Sequence, residues 1–130
     1  MIQKFIIVDD DRINNILCHI LIEKTLPDSI IRLFINSEEA LEHIKSDYTD
    51  DTAPETVLLL DIYMNPFTGW DFLDAFEQLA PVVKDKFTIH ILSASINPAD
   101  KEKAANNKKI TSYIEKPLIM QMLNDIMPVG

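Results

Sequence analysis

Short unbroken apolar runs alternate along the chain with longer stretches in which apolar residues recur every three or four positions. Phe5 to Val8 is one such run and Val57 to Leu60 is another. A strand without polar alternation is one buried on both faces, as in a parallel sheet flanked by helices. Ile30 to Ile35, Phe87 to Leu92 and Ser112 to Glu115 are predicted as three further strands. Between them the spacing turns helical. Ile13, Ile16, Leu17, Ile20 and Leu21 follow Asp11, which can cap a helix, and Pro27 ends that region. Ser37 is a plausible cap for a helix carrying Ala40, Leu41 and Ile44. A third helix is predicted from about Trp70 to Leu79, with Phe72, Leu73, Phe76 and Leu79 as its inner face. Asn97-Pro98 pairs an N-cap with proline at the first helical position, opening a polar helix toward Asn106. Leu118, Met122, Leu123 and Ile126 mark a last helix before Pro128. Ser46 to Glu55, with Asp47, Asp50, Asp51 and Glu55, reads as a solvated acidic connection.

Five strands alternating with five helices imply an α/β fold: a doubly wound parallel sheet covered on both faces. Right-handed crossovers leave few topologies, and in each the strands point their carboxyl ends the same way. That edge is where ligands and chemistry sit in open α/β sheets. The first strand runs into Asp9, Asp10 and Asp11, the third into Asp61, the fourth into Ser93 and the fifth into Lys116. Taken alone, Asp61 could simply end its strand and start a turn, since Asn65-Pro66 and Gly69 follow closely. A carboxylate pair, a further acid, a hydroxyl and a lysine at four strand ends carry more than a turn requires.

Length and composition narrow the classes. A chain of 130 residues with 47% hydrophobic and 25% charged residues is one soluble globular domain, expected to span 1–130. A net charge of −9 argues against gripping nucleic acid or an anionic membrane. No apolar run is long enough to span a bilayer, and Asp9 arrives too early for a signal peptide. Cys18 is the single cysteine, expected to be a partly buried helix thiol, and fits a reducing, cytoplasmic setting. Gly69 and Gly130 are the only glycines, which excludes a Gly-rich phosphate loop or dinucleotide motif. His19, His43 and His90 have no clustered ligands around them, so no metal site is expected there.

Crowded carboxylates repel, and a hard divalent cation with oxygen ligands relieves them. Mg²⁺ takes one or two carboxylates, keeps waters and shares the rest of its shell with phosphate oxygens. Asp61 could then attack phosphorus to form an aspartyl-phosphate, while a lysine and a hydroxyl hold the other phosphoryl oxygens.

With Val8-Asp9-Asp10-Asp11, Leu60-Asp61-Ile62 followed by Met64, Pro66 and Gly69, Leu92-Ser93-Ala94 and Tyr113-Ile114-Glu115-Lys116-Pro117 in this order, the chain resembles a response-regulator receiver domain of two-component signal transduction. The resemblance covers essentially the whole length, as expected of a stand-alone receiver without an output domain. It implies a flavodoxin-like, CheY-like sheet of order 2-1-3-4-5. It implies a phosphoacceptor switch rather than an enzyme. Asp61 would accept phosphoryl from a sensor histidine kinase or a histidine phosphotransfer protein. Asp10 and Asp61 would bind Mg²⁺ directly with the main-chain carbonyl of Tyr63, and Asp9 directly or through water. Ser93 would donate its hydroxyl to the phosphoryl group and Lys116 would pair with it. Ser93 and Tyr113 would form the switch toward a downstream protein partner, and Lys116-Pro117 would be cis.

The chain departs from the family pattern where Asn65 separates Met64 from Pro66 and where Thr68 precedes Gly69. Tyr63 and Ser95 lie where family members tune hydrolysis of the acyl phosphate. Two other functions share some of these residues. A haloacid-dehalogenase-like phosphatase also uses an Asp nucleophile, a hydroxyl, a lysine and an acid pair. There, however, the nucleophile leads the chain in an Asp-x-Asp pattern, whereas here the pair leads and Tyr63 stands two after Asp61. A pseudo-receiver that binds without phosphorylation often loses the Asp or Lys, and this chain keeps both.

Overall fold

The computed structural model describes residues 3–127. Five parallel strands, β1 (Lys4–Val8), β2 (Ile30–Phe34), β3 (Thr56–Leu60), β4 (Phe87–Ser93) and β5 (Ile110–Glu115), form one sheet in the order β2-β1-β3-β4-β5. The helices are α1 (Arg12–Thr25), α2 (Ser37–Asp47), α3 (Gly69–Glu77), α4 (Pro81–Lys84), α5 (Pro98–Ala105) and α6 (Met120–Ile126). The expected doubly wound sheet and its order hold. Among the described residues the helices number six rather than five, because Pro81 starts an extra single turn after α3. Pro128, expected to follow the last helix, lies outside the described residues.

The unbroken apolar strands serve two cores at once. Alternate residues of β1 and β3 point to opposite faces. Ile6, Val8, Leu58 and Leu60 pack with Ala40 and Ile44 of α2, Phe72 and Phe76 of α3 and Ala104 of α5. Phe5, Ile7, Val57 and Leu59 pack with Cys18 and Ile22 of α1 and Leu123 of α6. A side chain such as Leu59, shut away entirely, contributes roughly 2 kcal/mol of transfer free energy.

Several local details differ from the sequence reading. Asn36, not Ser37, caps α2 by accepting the N–H of Glu39 at 2.8 Å. Helix α3 begins one residue early, because Thr68 caps it in a box with Asp71. The acidic connection after α2 is not wholly solvated. Tyr48 within it is buried, its ring 4.7 Å from that of Phe87 and its hydroxyl bonded to Thr56. Cys18 is fully rather than partly buried, at 2% exposure.

The largest difference is on α1. Its buried residues are Asn14, Asn15, Cys18 and Ile22, while Ile13, Ile16, Leu17 and Ile20 face solvent. The apolar spacing that marks this helix is therefore its outer stripe. No helix among the described residues is long and apolar enough to cross a membrane.

Candidate functional site: an acidic pocket at the carboxyl edge of the sheet

Register brings the acids together. Val8 of β1 pairs with Leu60 of β3, so the next residues, Asp9 and Asp61, leave adjacent strands at the same level. Neighbouring strands lie only about 4.8 Å apart. The Asp61 N–H donates to the Val8 carbonyl at 3.0 Å, and the Asp9 N–H to the Phe34 carbonyl at 3.0 Å. Ser93 and Glu115 pair at the ends of β4 and β5, and the Lys116 N–H donates to the Ser93 carbonyl at 2.9 Å. Asp9, Asp61, Ser93 and Lys116, four of the sequence-predicted residues, therefore meet on one edge.

Asp9 is 1% exposed and richly bonded. Its Oδ1 accepts the Asp11 N–H at 2.9 Å, and its Oδ2 accepts Asn14 Nδ2 at 2.8 Å and Lys116 Nζ at 2.7 Å. Asn15 Nδ2 holds the Asp9 carbonyl at 2.9 Å. Asp10 stands exposed at the rim. Asp61 is buried, its Oδ1 accepting the Tyr63 N–H at 3.1 Å and its Oδ2 facing Lys116 Nζ at 3.3 Å. One carboxylate oxygen from each of Asp9, Asp10 and Asp61 can lie within 4.8 Å of the others. Such a set of hard oxygen donors can hold a metal ion.

The electrostatics separate the groups. Burial, and then the charge of Asp9, push the Asp61 carboxyl up to about 6. Burial works against the Lys116 ammonium, but hydrogen bonding to Asp9 and the charges of Asp61 and Asp9 outweigh it, holding its pKa above the ordinary value. Lys116 therefore remains a cation between two acids.

Ser93 is wholly buried, and its Oγ accepts the Ser95 N–H at 3.1 Å. Tyr113 is half-buried, packs against the core on the α2–α5 side, and donates its hydroxyl to the Ser95 carbonyl at 2.8 Å. Tyr63 is exposed, and its hydroxyl donates to Asp100 on α5, which also accepts Ser95 Oγ at 2.7 Å. These bonds hold the Asp100 carboxyl below its ordinary value. Lys116-Pro117 is cis, as expected, and Asn65-Pro66 is cis as well.

Sequence reasoning missed Asn14, Asn15 and Asp100 as supports of this edge. An asparagine pair at the start of a helix just after the acids was the available signal for the first two. Asp100 carried none, because its partners lie on separate loops. Gly69, which the sequence offers as a breaker and as part of the family pattern, serves here for close approach. A Cβ there would sit 2.4 Å from the Asp61 carbonyl oxygen and 2.8 Å from Ile62 Cα. The Gly69 N–H donates to the Ile62 carbonyl at 3.0 Å, seating α3 against the backbone of the pocket.

Known proteins share this fold. The family model of the response regulator receiver domain matches residues 5–127, and the chain belongs to that family. A two-component response regulator from Cytophaga hutchinsonii is 28% identical, with a TM-score of 0.84 over 95% of this chain and 92% of that one. A response regulator receiver protein from Dyadobacter fermentans is 26% identical, with a TM-score of 0.86 over 97% and 94%. A response regulator from Thermotoga maritima, solved in complex with Mg²⁺-BeF, shares the fold at 22% identity and a TM-score of 0.67, over 95% and 94%. No curated protein matches the chain. The protein is thus a receiver domain of a two-component response regulator, and its carboxyl edge holds an acidic cluster fit for a metal ion.

Proposed function

We propose that the chain, as one receiver domain over residues 1–130, is a cytoplasmic phosphoacceptor switch in which Asp61 takes a phosphoryl group from a phosphohistidine. The observation that carries this reading is Lys116 Nζ lying 2.7 Å from Asp9 and 3.3 Å from Asp61, beside the exposed Asp10. A carboxylate oxygen of Asp61 attacks phosphorus as the N–P bond to the donor imidazole breaks, and the imidazole keeps the bonding pair. The Tyr63 N–H and Lys116 orient the Asp61 carboxylate for in-line attack. Lys116 then pairs with a phosphoryl oxygen, and the Ser93 hydroxyl donates to another. Asp10 and Asp61 would hold Mg²⁺ with the Tyr63 carbonyl. Asp9, its oxygens already engaged by Asp11, Asn14 and Lys116, suits contact through water. When bound, the ion offsets charge on the transferring group.

The donor would be a sensor histidine kinase or a histidine phosphotransfer protein. The exposed stripe of Ile13, Ile16, Leu17 and Ile20 follows directly on Asp10 and Asp11 and offers an apolar face to such a partner. Withdrawal of Ser93 toward the phosphoryl group would release the loop whose Ser95 carbonyl holds Tyr113, changing the α5–β5–α6 surface for a downstream protein. Intact-mass measurement after incubation with Mg²⁺ and a small acyl-phosphate donor tests the reading, with a gain of one phosphoryl group expected. Labelling that persists in Asp61→Asn, or proceeds fully in chelator, overturns it.

A further inference from the structure

A groove of about 660 Å³ opens between α2 and α3. Leu41, Phe72 and Ala75 on the helices, with Pro66 and Phe67 of the connecting loop, give it an apolar lining. Glu38 of α2 and Asp71 and Asp74 of α3 form its polar part, and among the described residues no lysine or arginine lines it. A hollow of about 380 Å³ shares Glu38, Pro66 and Phe67 and extends the trough past Asn36 and Asn65. Phe67 leaves 44% of its surface exposed there. Asp71 cannot swing away freely, because its carboxylate accepts the Thr68 N–H at 2.9 Å in the capping box. Glu39 and Glu42 on α2 strengthen the negative field, against Lys45 of the same helix, whereas Glu77 on α3 is paired with Lys84 at 3.2 Å.

We propose that this groove docks a cationic amphipathic segment of a partner protein. An apolar side chain or two sits against Phe67, Leu41 and Ala75, over the buried Phe72, and lysines or arginines meet Glu38, Asp71 and Asp74. Charge complementarity selects this occupant. A second copy docking symmetrically through this face would set the same acids against themselves, and a net charge of −9 repels nucleic acid and anionic membranes. The apolar anchors supply affinity, while the surrounding charges steer and orient the ligand. A helical segment of this kind presents apolar residues at i, i+3, i+4 and i+7.

The test uses the isotopically labelled full chain and a synthetic helical peptide with leucines at that spacing and lysines elsewhere. Amide shifts are expected to gather at Glu38, Leu41, Phe67, Asp71, Phe72 and Ala75. The double variant Glu38→Lys with Asp74→Lys should weaken binding about tenfold, since attraction becomes repulsion. Ala75→Arg, which adds bulk and like charge at an exposed groove position, should weaken it comparably if the double variant folds poorly. Unchanged affinity in these variants overturns the proposal. So do equal binding of a lysine peptide with serines for leucines, shifts gathered on the Ile13–Ile20 stripe, and self-association of the chain through this face.

Discussion

Replacing Asp61 by Asn should make the metal-free protein more stable, by an amount that depends on pH. The Asp61 side chain is 7% exposed, and burial followed by the charge of Asp9 pushes its carboxyl up to about 6. Titrating there rather than at the ordinary 3.8 opposes ionisation by about 3 kcal/mol. Between about pH 4 and pH 6 the folded chain keeps a proton at Asp61 that the unfolded chain has lost, so this group's contribution falls as pH rises through that window. Above it the full cost is present; below it, none. Asparagine keeps the shape and does not titrate. It gives up the charge-assisted contact from Lys116, which still retains Asp9 at 2.7 Å. The expected gain above neutral pH is therefore about 1–3 kcal/mol, or roughly 3–10 °C in Tm for a domain of this size. His90 titrates in an overlapping range with the opposite sign, its imidazole pushed down to about 4 by burial, but it is common to both proteins and cancels in the difference. Thermal melts of parent and variant in chelator, from about pH 4 to pH 8, measure the gap. Adding Mg²⁺ should narrow it, because the parent gains more from the ion. The reasoning is refuted if Asp61→Asn melts below the parent at the alkaline end, or if the gap is the same at both ends.

Gly69→Ala should cost about 1–3 kcal/mol in denaturant unfolding, since the new methyl meets the Asp61 and Ile62 backbone and not a flexible side chain; an unchanged midpoint would contradict the close approach. Lys116→Ala should push the Asp61 carboxyl further above about 6 and abolish phosphoryl uptake in a folded chain. A carboxyl-carbon NMR titration reads the first effect and intact mass the second, and a lower Asp61 value would refute it. Cys18, with its thiol pushed up to about 11 by burial and then by Asp9, should resist alkylation at neutral pH until the chain is denatured. Labelling of the native protein at the rate of a free thiol would refute that.

The sheet was legible because buried parallel strands leave an unmistakable trace, and because strand carboxyl ends converge in this architecture whatever the loops do. The relation of Asp9 to Asp61 follows from register alone. Hydrophobic period, however, identifies a helix without saying which of its faces is buried. On α1 the stripe of Ile13, Ile16, Leu17 and Ile20 lies outside because the inner face near the pocket is occupied by Asn14 and Asn15. Asn14 donates to the buried Asp9 carboxylate beside Lys116, and Asn15 to the Asp9 main-chain carbonyl. The apolar pattern of the helix was overridden by the demands of the strand end just before it, at the functional site, which is where such conflicts are expected. Tyr48 is the converse case, an aromatic hidden in an acidic segment because the β3 and β4 ends supply Thr56 and Phe87 as partners.

The acids of the pocket show what sequence cannot rank. As letters, Asp9, Asp10 and Asp61 are equal members of one repelling cluster. The fold distributes the cost unevenly. Asp10 keeps its water, and Asp9 is surrounded by the Asp11 N–H, Asn14 and Lys116. Asp61 is left buried with one backbone N–H at 3.1 Å and the longer of the two lysine contacts, at 3.3 Å. It is the group whose charge is least compensated, and burial is the first cause of its raised pKa. A cation at the rim or a phosphoryl group drawn toward Lys116 would relieve Asp61 more than either neighbour. Supporting Asp9 with asparagines while leaving Asp61 short of donors thus stores the tension of the pocket on a single oxygen pair, at some expense in stability.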